Sequence, residues 1–165
     1  MKNKMALRTV SFLIMICLMV TIFMFSHQDA TRSGNLSGGF TYKLFCLVYP
    51  DFEDLSVEEQ EQLIGSVEVY IRKTAHFTIY FLLGLSALGF YFTFEKLAVL
   101  SRFGLSFLTG SLYAVTDEIH QIYIPGRSGE VRDVFIDSAG VLLACALGFV
   151  LRVFINQTKR KKYGK

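Results

Sequence analysis

Four long apolar runs, at residues 9–25, 77–94, 97–116 and 134–155, constrain this chain more than any other feature. The first two are uncharged and close to the ~20 residues a helix needs to cross a hydrocarbon core. The third carries Arg102 near its start, and the fourth carries Asp137 and Arg152 near its two ends. The uninterrupted apolar cores of these last two, 103–116 and 138–151, are shorter. A re-entrant or interfacial segment is therefore the alternative for each. At 52% hydrophobic over 165 residues, with two prolines and no tryptophan, the composition excludes an ordinary soluble domain. The expected fold class is all-α: a polytopic membrane protein, four transmembrane helices plus an extracytoplasmic amphipathic helix. One domain, residues 1–165, is expected, with outer loops at 26–76 and 117–133.

Charge sets the orientation. Lys2, Lys4 and Arg8 precede the first run, Glu95, Lys96 and Arg102 lie around the second link, and Arg152, Lys159, Arg160, Lys161, Lys162 and Lys165 end the chain. In 26–76 and in 117–137 the acids outnumber the bases. Lys and Arg concentrate on the cytoplasmic side of bacterial membranes, so both termini are expected inside and both acidic loops outside. A positive start before an apolar run also suits a signal peptide. FMFSHQDATRSG offers no small-x-small cleavage site, so an uncleaved anchor is expected. Cys17, Cys46 and Cys145 form no disulfide pattern and no CxxC metal motif.

The Ser-, Gly- and Thr-rich stretch 26–50 reads as irregular until a short helix near 40–48. After Pro50, Ser56 and Glu59 stand at capping-box spacing. Leu63, Ile64, Val67, Tyr70 and Ile71 then recur at helical spacing, which predicts an amphipathic helix running into the second span.

Wound at 100° per residue, the spans show narrow small-residue seams. Lys73, His76, Tyr80, Gly84 and Ala87 share a face in the second, with Arg72 at its margin. Ser106, Gly110, Tyr113, Ala114, Asp117 and Gln121 share one in the third, and Asp133, Asp137, Gly140, Ala144 and Gly148 in the fourth. Small residues every four positions let membrane helices pack closely. Each seam becomes ionisable at its outer end, so bases of the second helix are expected to meet acids of the third and fourth. Ile124-Pro125-Gly126-Arg127 fits a type II turn that folds Arg127 back over the bundle.

Ionisable groups in spans cost roughly 2.5–3.5 kcal/mol each on insertion scales and are usually paired or functional. Four readings stay open for Arg72, Lys73, His76, Asp117, Glu118, His120, Gln121, Arg127, Asp133 and Asp137. Arg72, Lys73, Arg127 and Arg132 can simply neutralise the acids. Asp117, His120 and His76 can supply three metal ligands. With no HExxH motif, histidines beside carboxylates read first as hydrogen-bonded pairs, and neither a metal nor a cofactor is expected. Either histidine can be a general base beside Asp117 or Glu118, although no serine lies in a nucleophile elbow; His27 reads as a polar loop residue. Last, Arg and Lys donors with Tyr80, Tyr113 and Tyr123 suit a partly anionic molecule with an apolar anchor. Nucleic acid is not suggested, since topology accounts for the KRKK tail, which can also touch anionic membrane lipid.

IRKTAHFTIYFLLG, TDEIHQIYIPGRSGEVRDVFIDSAG and, more loosely, FSHQDATRSG closely resemble the VanZ-like family of small bacterial integral membrane proteins. The combination is specific where no single piece is, and the acidic stretch between the first two spans lies outside it. The resemblance marks Arg72, Lys73, His76, Asp117, Glu118, His120, Gln121, Pro125, Gly126, Arg127, Asp133 and Asp137 as motif positions without assigned roles. It implies a cell-envelope protein that lowers susceptibility to teicoplanin, a lipoglycopeptide antibiotic. The expected partners are membrane lipid and a lipoglycopeptide or lipid-linked envelope precursor held at the outer leaflet. The competing class is a membrane enzyme modifying envelope lipids or peptidoglycan precursors through His–carboxylate pairs.

Overall fold

A computed structural model describes residues 2–163. The side chains of Lys2, Arg160, Lys161 and Lys162, and Lys165 altogether, which carry part of the charge asymmetry, lie outside the described residues. Five α-helices and one short 3₁₀ turn, Phe52–Asp54, account for the fold, with no strand among the described residues. They are α1 (Lys2–Ser26), α2 (Ala30–Val48), α3 (Val57–Phe92), α4 (Val99–Gln121) and α5 (Val131–Tyr163). Three helices are long and apolar enough to cross a membrane: Lys4–Ser26, Val57–Phe92 and Val131–Lys159. With 23 residues α4 has the length, but Arg102, Ser106, Thr109 and Ser111 make it less apolar.

Contact pairs fix the directions of the bundle. The N-terminal end of α1 meets the end of α3, where Arg8 donates to the Thr93 carbonyl at 3.2 Å and Lys4 pairs with Glu95 at 2.7 Å. That exposed pair holds the Glu95 carboxyl below the usual carboxylate range, through the hydrogen bond from Lys4. At its other end α1 meets the end of α4, Ser26 against Asp117. So α1 and α4 run parallel. Contacts Lys73–Asp133 near the start and Gly84–Ala144 lower down show that α3 and α5 run together in the opposite direction.

The small-residue seams are where the helices touch. A Cβ at Gly84 would stand 2.9 Å from the Ala144 Cβ, and one at Gly110 2.6 Å from Val141. One at Gly140 would collide with the Phe77 carbonyl, and one at Gly148 would meet Leu88 at 2.9 Å. Ser106, Ala114 and Ala144 are fully buried along the same lines. Tyr80, Leu83, Ala87 and Val141 complete the core between them, with Met15 and Ile22 from α1. The outward faces stay apolar, as lipid contact requires: Leu108, Leu112, Ile119, Leu142 and Phe149 are exposed.

The capping box is formed, Ser56 accepting from the Glu59 backbone while the Glu59 carboxylate accepts from that of Ser56. The helix it starts continues unbroken for 36 residues, about 54 Å at 1.5 Å per residue, well past a ~30 Å hydrocarbon core. The helix expected near 40–48 is present, but it begins at Ala30, so α2 is helical for 19 residues and the irregular reading of 30–39 is corrected. Packing on α3 stabilises it: Ser37 donates to Glu68 at 2.7 Å, and Gly38 lies against Ile64. Gly34, Ser37 and Gly38, which weaken a lone helix, thus become part of its contact face.

Candidate functional site

At one end of the bundle α1, α3, α4 and α5 bring most of the polar residues together. Asp117, Glu118 and Gln121 on the last turns of α4 are buried, while Ile119 between them faces outward. Ser26, the last residue of α1, is fully buried and donates to Asp117 Oδ2 at 2.8 Å. Gln121 reaches the same oxygen at 3.4 Å. Tyr113, one turn below Asp117, donates to the Met19 carbonyl at 2.5 Å and ties α4 to α1.

The second cluster joins α3 to α5. Lys73 pairs with Asp133 and lies 3.5 Å from Glu130. One turn deeper, His76 Nδ1 stands 3.8 Å from Asp137 Oδ2. Lys73 therefore meets acids of α5 near the rim. The neutralising reading describes Asp133 and not the deeper acids. Among the described residues no Lys or Arg side chain forms an ion pair with Asp117, Glu118 or Asp137. Arg132 is exposed and turns away.

The loop between α4 and α5 is built as its sequence indicates. Gly126 has φ 73°, and the Arg127 amide donates to the Ile124 carbonyl at 3.1 Å, the closure of a type II turn around Pro125-Gly126. Arg127 folds back and donates to Gln121 Oε1 at 3.3 Å and to the Phe25 carbonyl at 3.4 Å. Burial first, and the nearby Arg72 second, hold its guanidinium below the ordinary range. Glu118 spends one oxygen on the Glu130 backbone N–H at 2.8 Å, fixing the entry to α5. Gly129 permits this, since a Cβ there would stand 2.7 Å from the Glu118 carbonyl oxygen.

His120 departs from the expected set. It does not join His76 and Asp117; its Nε2 lies 3.2 Å from His27 Nδ1, and the two rings stack beside Phe23. The group that does converge is His76, Asp117 and Asp137, whose nearest ligand atoms lie within 4.8 Å of one another. The three-ligand set with His120 is corrected accordingly: at i+3 from Asp117 its ring falls on the α1 side of α4. Ser26 and His27 enter the site without having been singled out for it, whereas Tyr80 had been set beside it on the seam of α3. The FSH at the start of the loosely matching FSHQDATRSG stretch was the available signal for the first two.

Alongside the cluster runs a cavity of about 750 Å³ between α1, α2 and α3. Its walls are mostly aliphatic and aromatic, from Ile22, Leu36, Phe40, Ile79 and Leu82, and Arg72, His76 and Arg127 stand among them. A second, polar cavity of about 30 Å³ lies between His76, Asp137, Gln121 and Arg127. His76, Arg72 and Arg127 border both spaces.

A family model described as VanZ/LLP1 matches residues 11–153. Comparison with curated proteins and with solved structures found no match.

Proposed function

The chain belongs to the VanZ/LLP1 family, and from that membership and the groove we propose that it holds a lipid-anchored ligand at the outer leaflet of the bacterial membrane. In this reading α1, the second half of α3, α4 and α5 cross the bilayer with both termini cytoplasmic. The helical hairpin of α2 and the first half of α3 stands outside. The groove carries the reading. A 750 Å³ apolar trough suits an acyl chain, and two guanidiniums at its polar border suit a phosphate or carboxylate head. A lipoglycopeptide and a lipid-linked envelope precursor both have this build, so lowered susceptibility to teicoplanin-type antibiotics follows from capturing either.

The test is susceptibility measured together with membrane abundance. Arg72→Ala combined with Arg127→Ala removes the head contacts, and Ile79→Trp fills the trough. Both are expected to abolish teicoplanin protection at unchanged protein level. Full protection by both variants at equal abundance refutes the reading.

A second reading rests on the His76–Asp137 approach at 3.8 Å. A histidine beside a carboxylate is the equipment of a general base, and a membrane enzyme acting on envelope lipid would use it. Turnover separates the two: a binder saturates at one ligand per site, whereas an enzyme forms product in excess of protein.

A further inference from the structure

Two carboxylates lie deep between α3, α4 and α5, and among the described residues neither forms an ion pair with a Lys or Arg. Asp117 is 3% exposed and Asp137 1%. Both oxygens of Asp137, and Oδ1 of Asp117, have no hydrogen-bond partner. His76 Nδ1 is too distant at 3.8 Å to supply one. The bases nearby are engaged elsewhere, Lys73 with Asp133 and Glu130, Arg127 with Gln121 and the Phe25 carbonyl. Ionised carboxylates are retained in such a place when an opposite charge or a set of donors answers them.

The remaining contacts aim the free atoms inward. Ser26 and Gln121 both bond Oδ2 of Asp117, which leaves Oδ1 as its unused oxygen. The fully buried Tyr80 hydroxyl, next to Asp117, also lacks a partner in good geometry. One ligand atom each from His76, Asp117 and Asp137 lies within 4.8 Å of the others. All three stand on helices, and the close contacts of Gly140 with Phe77 and of Gly84 with Ala144 fix α3 against α5 just below them.

We propose that His76, Asp117 and Asp137 form a binding site for one divalent cation of the zinc class. One imidazole and two carboxylates neutralise a divalent ion completely, which matters in a medium of low dielectric. Calcium requires six to eight oxygens, and magnesium a near-octahedral shell rich in water. The adjoining 30 Å³ cavity holds about one water. Three protein ligands and one water are the shell of an open zinc site. Ligand atoms ~2.0–2.2 Å from such an ion sit roughly 3.5 Å apart, so binding draws the three side chains together by about an ångström. Ser26 and Gln121 are then outer-shell groups that orient Asp117. The water position faces Arg127 and Gln121, beside the border of the apolar groove.

The site is tested with the metal alone, without lipid ligand, so its failure is separate from that of the binding proposal. The full chain is purified in detergent, stripped with chelator and reloaded with Zn²⁺ or Co²⁺. One equivalent of Zn²⁺ per chain is expected by elemental analysis, and Co²⁺ is expected to give the visible bands of four-coordinate N/O ligation. His76→Ala and Asp137→Asn should each weaken the affinity at least about tenfold, no less than loss of an outer-shell partner. Glu61→Gln, an exposed acid fifteen residues before His76 on α3, should leave it unchanged. Monodisperse wild-type protein that takes up no Zn²⁺ and shows no Co²⁺ bands overturns the site. So does wild-type affinity in a folded His76→Ala variant. Where a variant fails to fold, the wild-type Co²⁺ spectrum decides alone.

Discussion

Ser26 and Asp117 lie 91 positions apart, and their side chains meet in a buried hydrogen bond of 2.8 Å. That bond joins the end of α1 to the end of α4 beneath Arg127, which reaches the Phe25 carbonyl from above. The chain therefore locks the C-terminal ends of two parallel helices through a hydroxyl and a carboxylate rather than through an ion pair.

Ser26→Ala leaves the Asp117 carboxylate with only the long bond from Gln121. A buried polar group that loses its partner costs about 1–3 kcal/mol, and unfolding in detergent should show a loss of that size. Ser66→Ala, which removes an exposed hydroxyl bonded only to its own helix, should stay within about 0.5 kcal/mol. Equal effects from the two would mean that the Ser26–Asp117 bond contributes nothing specific.

Glycines divide cleanly by what surrounds them. Gly84 and Gly140 have no room for a Cβ, whereas Gly89 and Gly104 have nothing within 4 Å. Gly140→Ala and Gly84→Ala are expected to destabilise by about 1–3 kcal/mol through overpacking. Gly89→Ala and Gly104→Ala gain helix propensity, up to about 1 kcal/mol. Membrane abundance and thermal unfolding of the four variants check this, and the same sign in both pairs would contradict it.

The close-packed glycines were legible in the sequence because close packing leaves a periodic mark. Small residues four apart, Ser106-Gly110-Ala114 in α4 and Gly140-Ala144-Gly148 in α5, with Gly84 one turn beyond Tyr80 in α3, state where backbones must approach, and burial follows. The turn at Pro125-Gly126 was legible for a similar reason, since only a few residue types fit its dihedrals. The first part of α2 was not. Gly34, Ser37 and Gly38 read as loop by propensity, and their contacts with Glu68 and Ile64 of α3 support the helix. Nor was the His27–His120 contact, because no local pattern ties two positions 93 residues apart. Equally, residue types alone left open that Arg and Lys neutralise the acids, whereas Lys73 pairs at the rim with Asp133 and Arg127 donates to neutral oxygens. Seams are local patterns; pairings across helices are not.

Lys73 and Asp133 test how far charge pairing at the rim sets the packing of α3 on α5. Their side chains are 22% and 30% exposed, so solvent screens much of the attraction. A double-mutant cycle with Lys73→Met and Asp133→Asn should give a coupling of no more than about 1 kcal/mol. A much larger coupling would make this pair, rather than the glycine contacts, the main determinant of the α3–α5 register.

The proposed orientation gives the cysteines distinct fates. Cys46 lies on α2 in the hairpin assigned to the outside, half-buried with its thiol 3.8 Å from Glu53. Cys145 is buried on α5 beside Phe103, and Cys17 faces outward from the middle of α1, where lipid would cover it. A membrane-impermeant maleimide added to intact cells should therefore modify the wild type and spare Cys46→Ser. In the Cys46→Ser background, Gln157→Cys near the end of α5 should react only after the membrane is opened, because the basic tail is cytoplasmic in this arrangement. Labelling at 157 in intact cells would reverse the orientation and put the polar cluster on the cytoplasmic side. A lipoglycopeptide arriving from outside would then have no path to it.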